Sequence, residues 1–225
     1  MNYKKYLPQY VAEAIGTFFL VFFGCGAIIL SETNANFDGS FIPLIFGGAV
    51  AIMIYATGHI SGAHFNPAVT VAFWIVKKFP GKRVTGYLLA QFMGATFASL
   101  IHLVILGKNH SFGATVIVTS IGVGILVELI LSFALMFVII SVATDSRAVG
   151  ELAGIAIGST VAICAFVGGP LTSASMNPAR TFGPALLKGD FSNFWLFLLA
   201  PLVGASLGAI TYNWIRNCKE SDDSD

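Results

Sequence analysis

Two tripeptides in this chain join a helix-capping residue to a helix-starting one. Asn66-Pro67-Ala68 and Asn177-Pro178-Ala179 stand 111 residues apart, each after a run of small and polar residues. Asparagine is among the best N-caps, because its side chain accepts from a free helix N–H. Proline fits the first helical position, where its missing donor costs nothing. Each tripeptide therefore reads as a helix start, with partial positive charge from aligned peptide dipoles and unpaired N–H groups. Arg180 follows the second of them directly, and Glu13 and Glu128 lie in apolar surroundings. No Ser/His pair, metal cluster or carboxylate dyad stands at catalytic spacing, so neither an enzyme nor a cofactor is expected. His59 and His64 are five apart, off the helical i,i+4 spacing, and Cys25, Cys164 and Cys218 match no metal pattern.

The surroundings of these residues are apolar to a degree that decides the class. Of 225 residues, 56% are hydrophobic and 10% charged, with mean hydropathy +0.83. A soluble domain carries about 25% charged residues. The bilayer must be the solvent for most of the surface. Six stretches approach the ~20 residues that cross about 30 Å of hydrocarbon: 10–30, 41–58, 84–106, 121–143, 152–168 and 194–215. The first is expected to be retained as a helix rather than cleaved as a signal. With six spans the connections alternate sides. Lys4, Lys5, Lys77, Lys78, Lys82, Arg83, Arg147, Arg216 and Lys219 then fall on one side, against Lys108, Arg180 and Lys188 on the other. Positive residues gather in the cytoplasm, so both termini are expected there. No basic run is long enough for nucleic acid, and the tail from Glu220 to Asp225 reads as a solvated, disordered end.

The chain also repeats itself. Ser61-Gly-Ala-His-Phe-Asn-Pro-Ala-Val-Thr70 resembles Thr172-Ser-Ala-Ser-Met-Asn-Pro-Ala-Arg-Thr181, and Ala49-Val-Ala-Ile52 resembles Thr160-Val-Ala-Ile163. Glu13 is echoed by Glu128. One domain over 1–225 is expected, with repeats at about 9–107 and 120–216 and a tail at 217–225. Three spans per half is an odd number, so the second half must enter the membrane inverted, with the functional site at the repeat interface. The stretches after the tripeptides, 68–76 and 179–187, are about half a bilayer long. Irregular backbone at membrane depth is tolerated only where it is buried or lines a wet cavity. Two half-helices re-entering from opposite sides would bring their N-termini together. The fold expected is all-α, six transmembrane helices plus two re-entrant half-helices in an inverted repeat.

Those paired boxes, with Gly58-His-Ile-Ser-Gly-Ala-His64 and Ala12-Glu-Ala-Ile-Gly-Thr-Phe-Phe-Leu-Val-Phe-Phe-Gly-Cys-Gly26, resemble the aquaporins (major intrinsic proteins) over roughly 12–215. Within that family the chain looks most like nodulin-26-like channels and their prokaryotic relatives. The resemblance implies a homotetramer in the plasma membrane, one pore per subunit. It puts the Asn66 and Asn177 amides in the pore as donors, so that a passing water offers its oxygen to both and the proton-conducting file is broken. It gives the pore acceptors from the carbonyls of Gly62, Ala63 and His64 and of Ser173, Ala174 and Ser175, and makes Glu13 and Glu128 braces behind the re-entrant loops. Phe46, Ala165, Ala174 and Arg180 map onto the narrow filter.

Water-selective members usually have histidine where this chain has Ala165, and glycerol facilitators an aspartate where it has Thr181. A wide, partly apolar filter fits water with small polyols, urea-sized amides, ammonia or uncharged metalloid hydroxides, with ions and protons excluded. A strictly water-selective channel and a proton-coupled transporter are the alternatives. Asn109-His-Ser111 is a glycosylation sequon in an outer loop.

Overall fold

A computed structural model describes residues 3–222, with side chains from 5 to 217. The expectations for Lys4, Cys218, Lys219 and the last three residues of the acidic tail rest on side chains or residues outside that description. Eight α-helices follow in order: α1 (Leu7–Thr33), α2 (Ile42–Ser61), α3 (Pro67–Ile75), α4 (Gly81–Leu106), α5 (Ile121–Thr144), α6 (Ala153–Thr172), α7 (Pro178–Lys188) and α8 (Phe194–Asp222). Six of them, all but α3 and α7, are long and apolar enough to cross a membrane. Their outward faces carry exposed large apolar side chains such as Met93, Val104, Ile163 and Trp214. In water such a surface would not persist; in hydrocarbon it is the one required.

The helices run past the apolar stretches at most ends. α1 begins at Leu7 and continues through Ser31, Glu32 and Thr33. Pro8 is no obstacle in the first turn. α6 passes Pro170, and α8 extends beyond Ile215 to Asp222, so the backbone of the tail's first three residues is helical where a disordered end was expected. Hydropathy marks what lies in hydrocarbon; backbone hydrogen bonds continue until a cap or a left-handed residue stops them.

Packing follows the repeat. α1 pairs with α2 and α4, and α5 pairs with α6 and α8 in the same manner. α2 packs on α6 across the two halves. The short helices swap sides: α3 of the first half lies on α8, and α7 of the second lies on α4. Exchange of the halves thus maps each of these pairings onto another. Where α2 crosses α6, Gly47 and Gly158 let the backbones meet, and a Cβ on either would collide with the other's carbonyl oxygen.

Candidate channel

Each short helix is started by its asparagine. Asn66 adopts an extended conformation, and its Oδ1 accepts from Ala68 N at 2.9 Å, with Pro67 in the first turn. Asn177 does the same with Ala179 N at 3.0 Å and Arg180 N at 3.3 Å, ahead of Pro178. With the oxygens so engaged, the amide NH2 groups point away from their own helices. Asn66 Nδ2 donates to Met176 O at 2.7 Å, and Asn177 Nδ2 donates to Phe65 O at 2.9 Å. Each asparagine therefore grips the loop of the opposite half. An amide nitrogen carries two hydrogens, so each keeps one N–H over. Both asparagines line a cavity, and that donor is available to its contents.

The segments leading into the short helices are bent by positive-φ residues. Gly62, Ala63 and Phe65 lie at φ 88°, 51° and 50°, and Ser173, Ala174 and Met176 at 63°, 42° and 52°. For residues with a Cβ this costs roughly 1–2 kcal/mol each, so something must hold them. Glu13 in α1 and Glu128 in α5 are fully buried behind the two loops. Glu13 accepts from Ser61 Oγ at 2.7 Å, His64 N at 2.9 Å, Phe65 N at 2.7 Å and Gln91 Nε2 at 2.8 Å. Glu128 accepts from Thr172 Oγ1 at 2.7 Å and from Ser175 N and Met176 N, both at 2.8 Å. Two helix-borne carboxylates thus gather matching donors in both halves. A second matched pair ties each loop to its helix: His64 Nδ1 lies 3.1 Å from Thr70 Oγ1, and Ser175 Oγ lies 2.6 Å from Thr181 Oγ1.

One difference between the halves lies in α4. Gln91 in α4 donates both to Glu13 and to Thr70 Oγ1 (2.9 Å), and Tyr87 donates to Ser61 O at 2.6 Å. Both are buried polar groups in an apolar helix, and that is the signal in the sequence by which they could have been found.

The cavity has a volume of about 270 Å³. Leu20, Val50, Ile54, Leu135, Ile139, Ile157 and Val161 make an apolar wall, and Gly62, Ala63, His64, Asn66, Ala174, Ser175 and Asn177 supply the polar side. Phe46, Ala165 and Arg180 line it as well. Ser173 is not among the lining residues. Its hydroxyl instead accepts from Val116 N at 3.0 Å and so fastens the segment between α4 and α5. Pro67, Ala68, Pro178 and Ala179 lie behind the asparagines, buried.

Arg180 is 2% exposed, with its guanidinium 5.0 Å from the Phe46 ring centroid. Phe46 fits there because α1 has Gly24 beneath it, and a Cβ at Gly24 would overlap the ring. Nη1 of Arg180 donates to Gly113 O at 2.6 Å, while Nη2 is buried with no hydrogen-bond partner among the described residues. Gly113, in an irregular segment of the sequence, carried no motif that could have revealed this contact. The arrangement can bind a small polar molecule at two donor points and pass it along an apolar wall.

Comparison with known proteins agrees with this geometry. The family model described as Major intrinsic protein matches residues 1–212. The chain is 46% identical to nodulin-26 of Glycine max, covering 94% of this chain and 79% of that protein. Against aquaporin NIP1-1 of Zea mays the identity is 45%, over 94% of this chain and 76% of the relative. Among solved structures, the aquaglyceroporin from Plasmodium falciparum superposes with a TM-score of 0.79 at 28% identity, covering 92% of this chain and 95% of the other. The chain belongs to the major intrinsic protein family, multi-pass membrane channels rather than enzymes.

Proposed function

We propose that this channel passes water and small uncharged solutes, glycerol-like polyols among them, passively, and excludes protons and ions. The observation that carries the reading is the wall composition beside Arg180. Phe46 and Ala165 offer carbon and space opposite a guanidinium with a free donor, which suits a solute with a C–H face and hydroxyls. Urea, ammonia and uncharged metalloid hydroxides have no C–H face, but each is small and neutral and offers a lone pair to the same donor. Charge is opposed in two ways. Arg180 repels cations, and the N-termini of α3 and α7 abut through the crossed asparagine bonds, adding positive potential at one point. A water hydrogen-bonded to both leftover N–H groups must turn its hydrogens away, which interrupts proton hopping.

The same reading puts both termini in the cytoplasm, where Lys5, Lys77, Lys78, Lys82, Arg83, Arg147 and Arg216 gather. Family resemblance supports a homotetramer in the plasma membrane with one pore per subunit.

Stopped-flow light scattering on proteoliposomes tests the solute range, with water, glycerol, urea and arsenite as permeants. Wild type should conduct glycerol as well as water. Ala165→His should cut glycerol flux about tenfold or more and water flux much less, because steric exclusion acts on the larger solute first. Rapid water flux with glycerol, urea and arsenite all excluded in wild type would mean a strictly water-selective pore.

A further inference from the structure

Nη1 of the Arg180 guanidinium donates to the Gly113 carbonyl at 2.6 Å, while Nη2 is buried with no hydrogen-bond partner among the described residues. What fixes that carbonyl fixes where Nη1 points. Gly113 is held in an unusual state: φ is +68°, and a Cβ there would lie 2.7 Å from Cys25 Cβ and 2.9 Å from its Cα. Only glycine fits. Its own N–H donates to Ser111 Oγ at 3.0 Å.

Ser111 is in turn taken by a residue outside the cavity lining. Glu32, in the last turn of α1, accepts the Ser111 backbone N–H on Oε2 at 3.0 Å and the Ser111 hydroxyl on Oε1 at 2.6 Å. Both carboxylate oxygens are used on one residue, a geometry that fixes orientation as well as position. An acidic side chain in the last turn of a helix opposes the helix dipole. Its presence there is accounted for by the clamp and not by helix stability. Glu32, Ser111, Gly113 and Arg180 therefore form one unbroken chain of hydrogen bonds from the outer end of α1 to the cavity. The far side of the same segment is fastened separately, by Val116 N to Ser173 Oγ at 3.0 Å and Val118 N to Leu171 O at 3.0 Å.

We propose that Glu32 is a positioning residue for solute selection: acting through Ser111 and the Gly113 carbonyl, it sets the orientation of the Arg180 guanidinium and so the size of solute that passes. The inference rests on the reading that Arg180 contacts the passing solute. With the clamp gone, the upstream anchor of Gly113 is lost, Arg180 can swing toward Phe46 or outward, and discrimination between large and small solutes relaxes while the pore stays open.

The experiment measures the ratio of glycerol to water permeability in proteoliposomes for wild type, Glu32→Ala, Glu32→Gln, Ser111→Ala and Arg180→Val. Glu32→Ala should shift the ratio about threefold with water flux retained. Glu32→Gln keeps an acceptor for Ser111 and should stay close to wild type. Ser111→Ala removes the hydroxyl that joins Glu32 to Gly113, so it should reproduce the Glu32→Ala shift, and the double variant should add little to either. Should Glu32→Ala insert poorly, Ser111→Ala decides the matter alone. If Arg180→Val shifts the ratio and neither clamp variant does, the positioning role is overturned and the reading of Arg180 stands. An unchanged ratio in Arg180→Val would overturn both. Equal loss of all fluxes in Glu32→Ala and Glu32→Gln, with lowered thermal stability, would make Glu32 a structural strut and defeat the proposal.

Discussion

A carboxyl group among apolar helices is costly, and Glu13 and Glu128 offset that cost by collecting donors that would otherwise be orphaned. Four of the donors, the backbone N–H groups of His64, Phe65, Ser175 and Met176, belong to loops whose positive-φ residues take them out of helix and sheet. Replacing Glu128 with leucine leaves Thr172 Oγ1, Ser175 N and Met176 N without their acceptor. Each unsatisfied buried group costs about 1–3 kcal/mol, so Glu128→Leu should fail to fold or melt far below wild type. Glu128→Gln keeps one acceptor oxygen and should be clearly milder. Thermal melts of detergent-purified protein, read beside flux, check this. Flux that depended steeply on pH and vanished equally in both variants would instead point to Glu128 as a proton carrier.

At the scale of elements, the short helices hold the argument. α3 spans nine residues and α7 eleven, about 14 and 17 Å of helix. Their N-termini are held together by the crossed Asn66 and Asn177 bonds. Changing both asparagines to aspartate would place negative charge where two helix N-termini supply positive potential, and would set carboxylate oxygens against the Met176 and Phe65 carbonyls. Sodium leak into proteoliposomes should rise severalfold at matched insertion; an unchanged leak would remove the electrostatic account of exclusion.

These helices were legible within a residue or two, because Asn-Pro caps are local chemistry and the 111-residue repeat doubled the signal. Glu13 and Glu128 were legible as costly residues at matching places. The crossed bonds were not, because Met176 and Phe65 act through backbone carbonyls that no side-chain pattern encodes. The segment from 107 to 120 was equally opaque. It has no periodicity, yet its Gly113 carbonyl and Val116 N–H meet Arg180 and Ser173 through long-range contacts. Apolar stretches also ended short of the helices, as at α6, where Pro170 falls inside the last turns.

Beyond the spans, a buried carboxylate fastens the end of α5 to α8. Asp145, just beyond α5, receives Arg147 Nε at 2.8 Å and Nη2 at 2.6 Å, Tyr212 Oη of α8 at 2.8 Å, and lies 3.7 Å from Arg216 Nε. The bonds from Arg147, and then that from Tyr212, hold its carboxyl well below the usual carboxylate range. A depressed folded-state value means stability that is present above about pH 4, the ordinary carboxylate value, and lost as pH falls through the folded value. Asp145→Asn should therefore lower the melting temperature at neutral pH, and the gap to wild type should close only in strong acid. A gap that closed between pH 8 and 5 would contradict this.

The central claim joins conduction of neutral solutes to exclusion of charge in one pore, and both can be read from the same vesicles. Proteoliposomes loaded with a pH-sensitive dye should be subjected to an osmotic step and, separately, to a pH step with a potassium-valinomycin shunt. Water flux should rise in proportion to protein while proton flux stays at the level of protein-free liposomes. Proton flux that scales with protein alongside water flux would contradict the account.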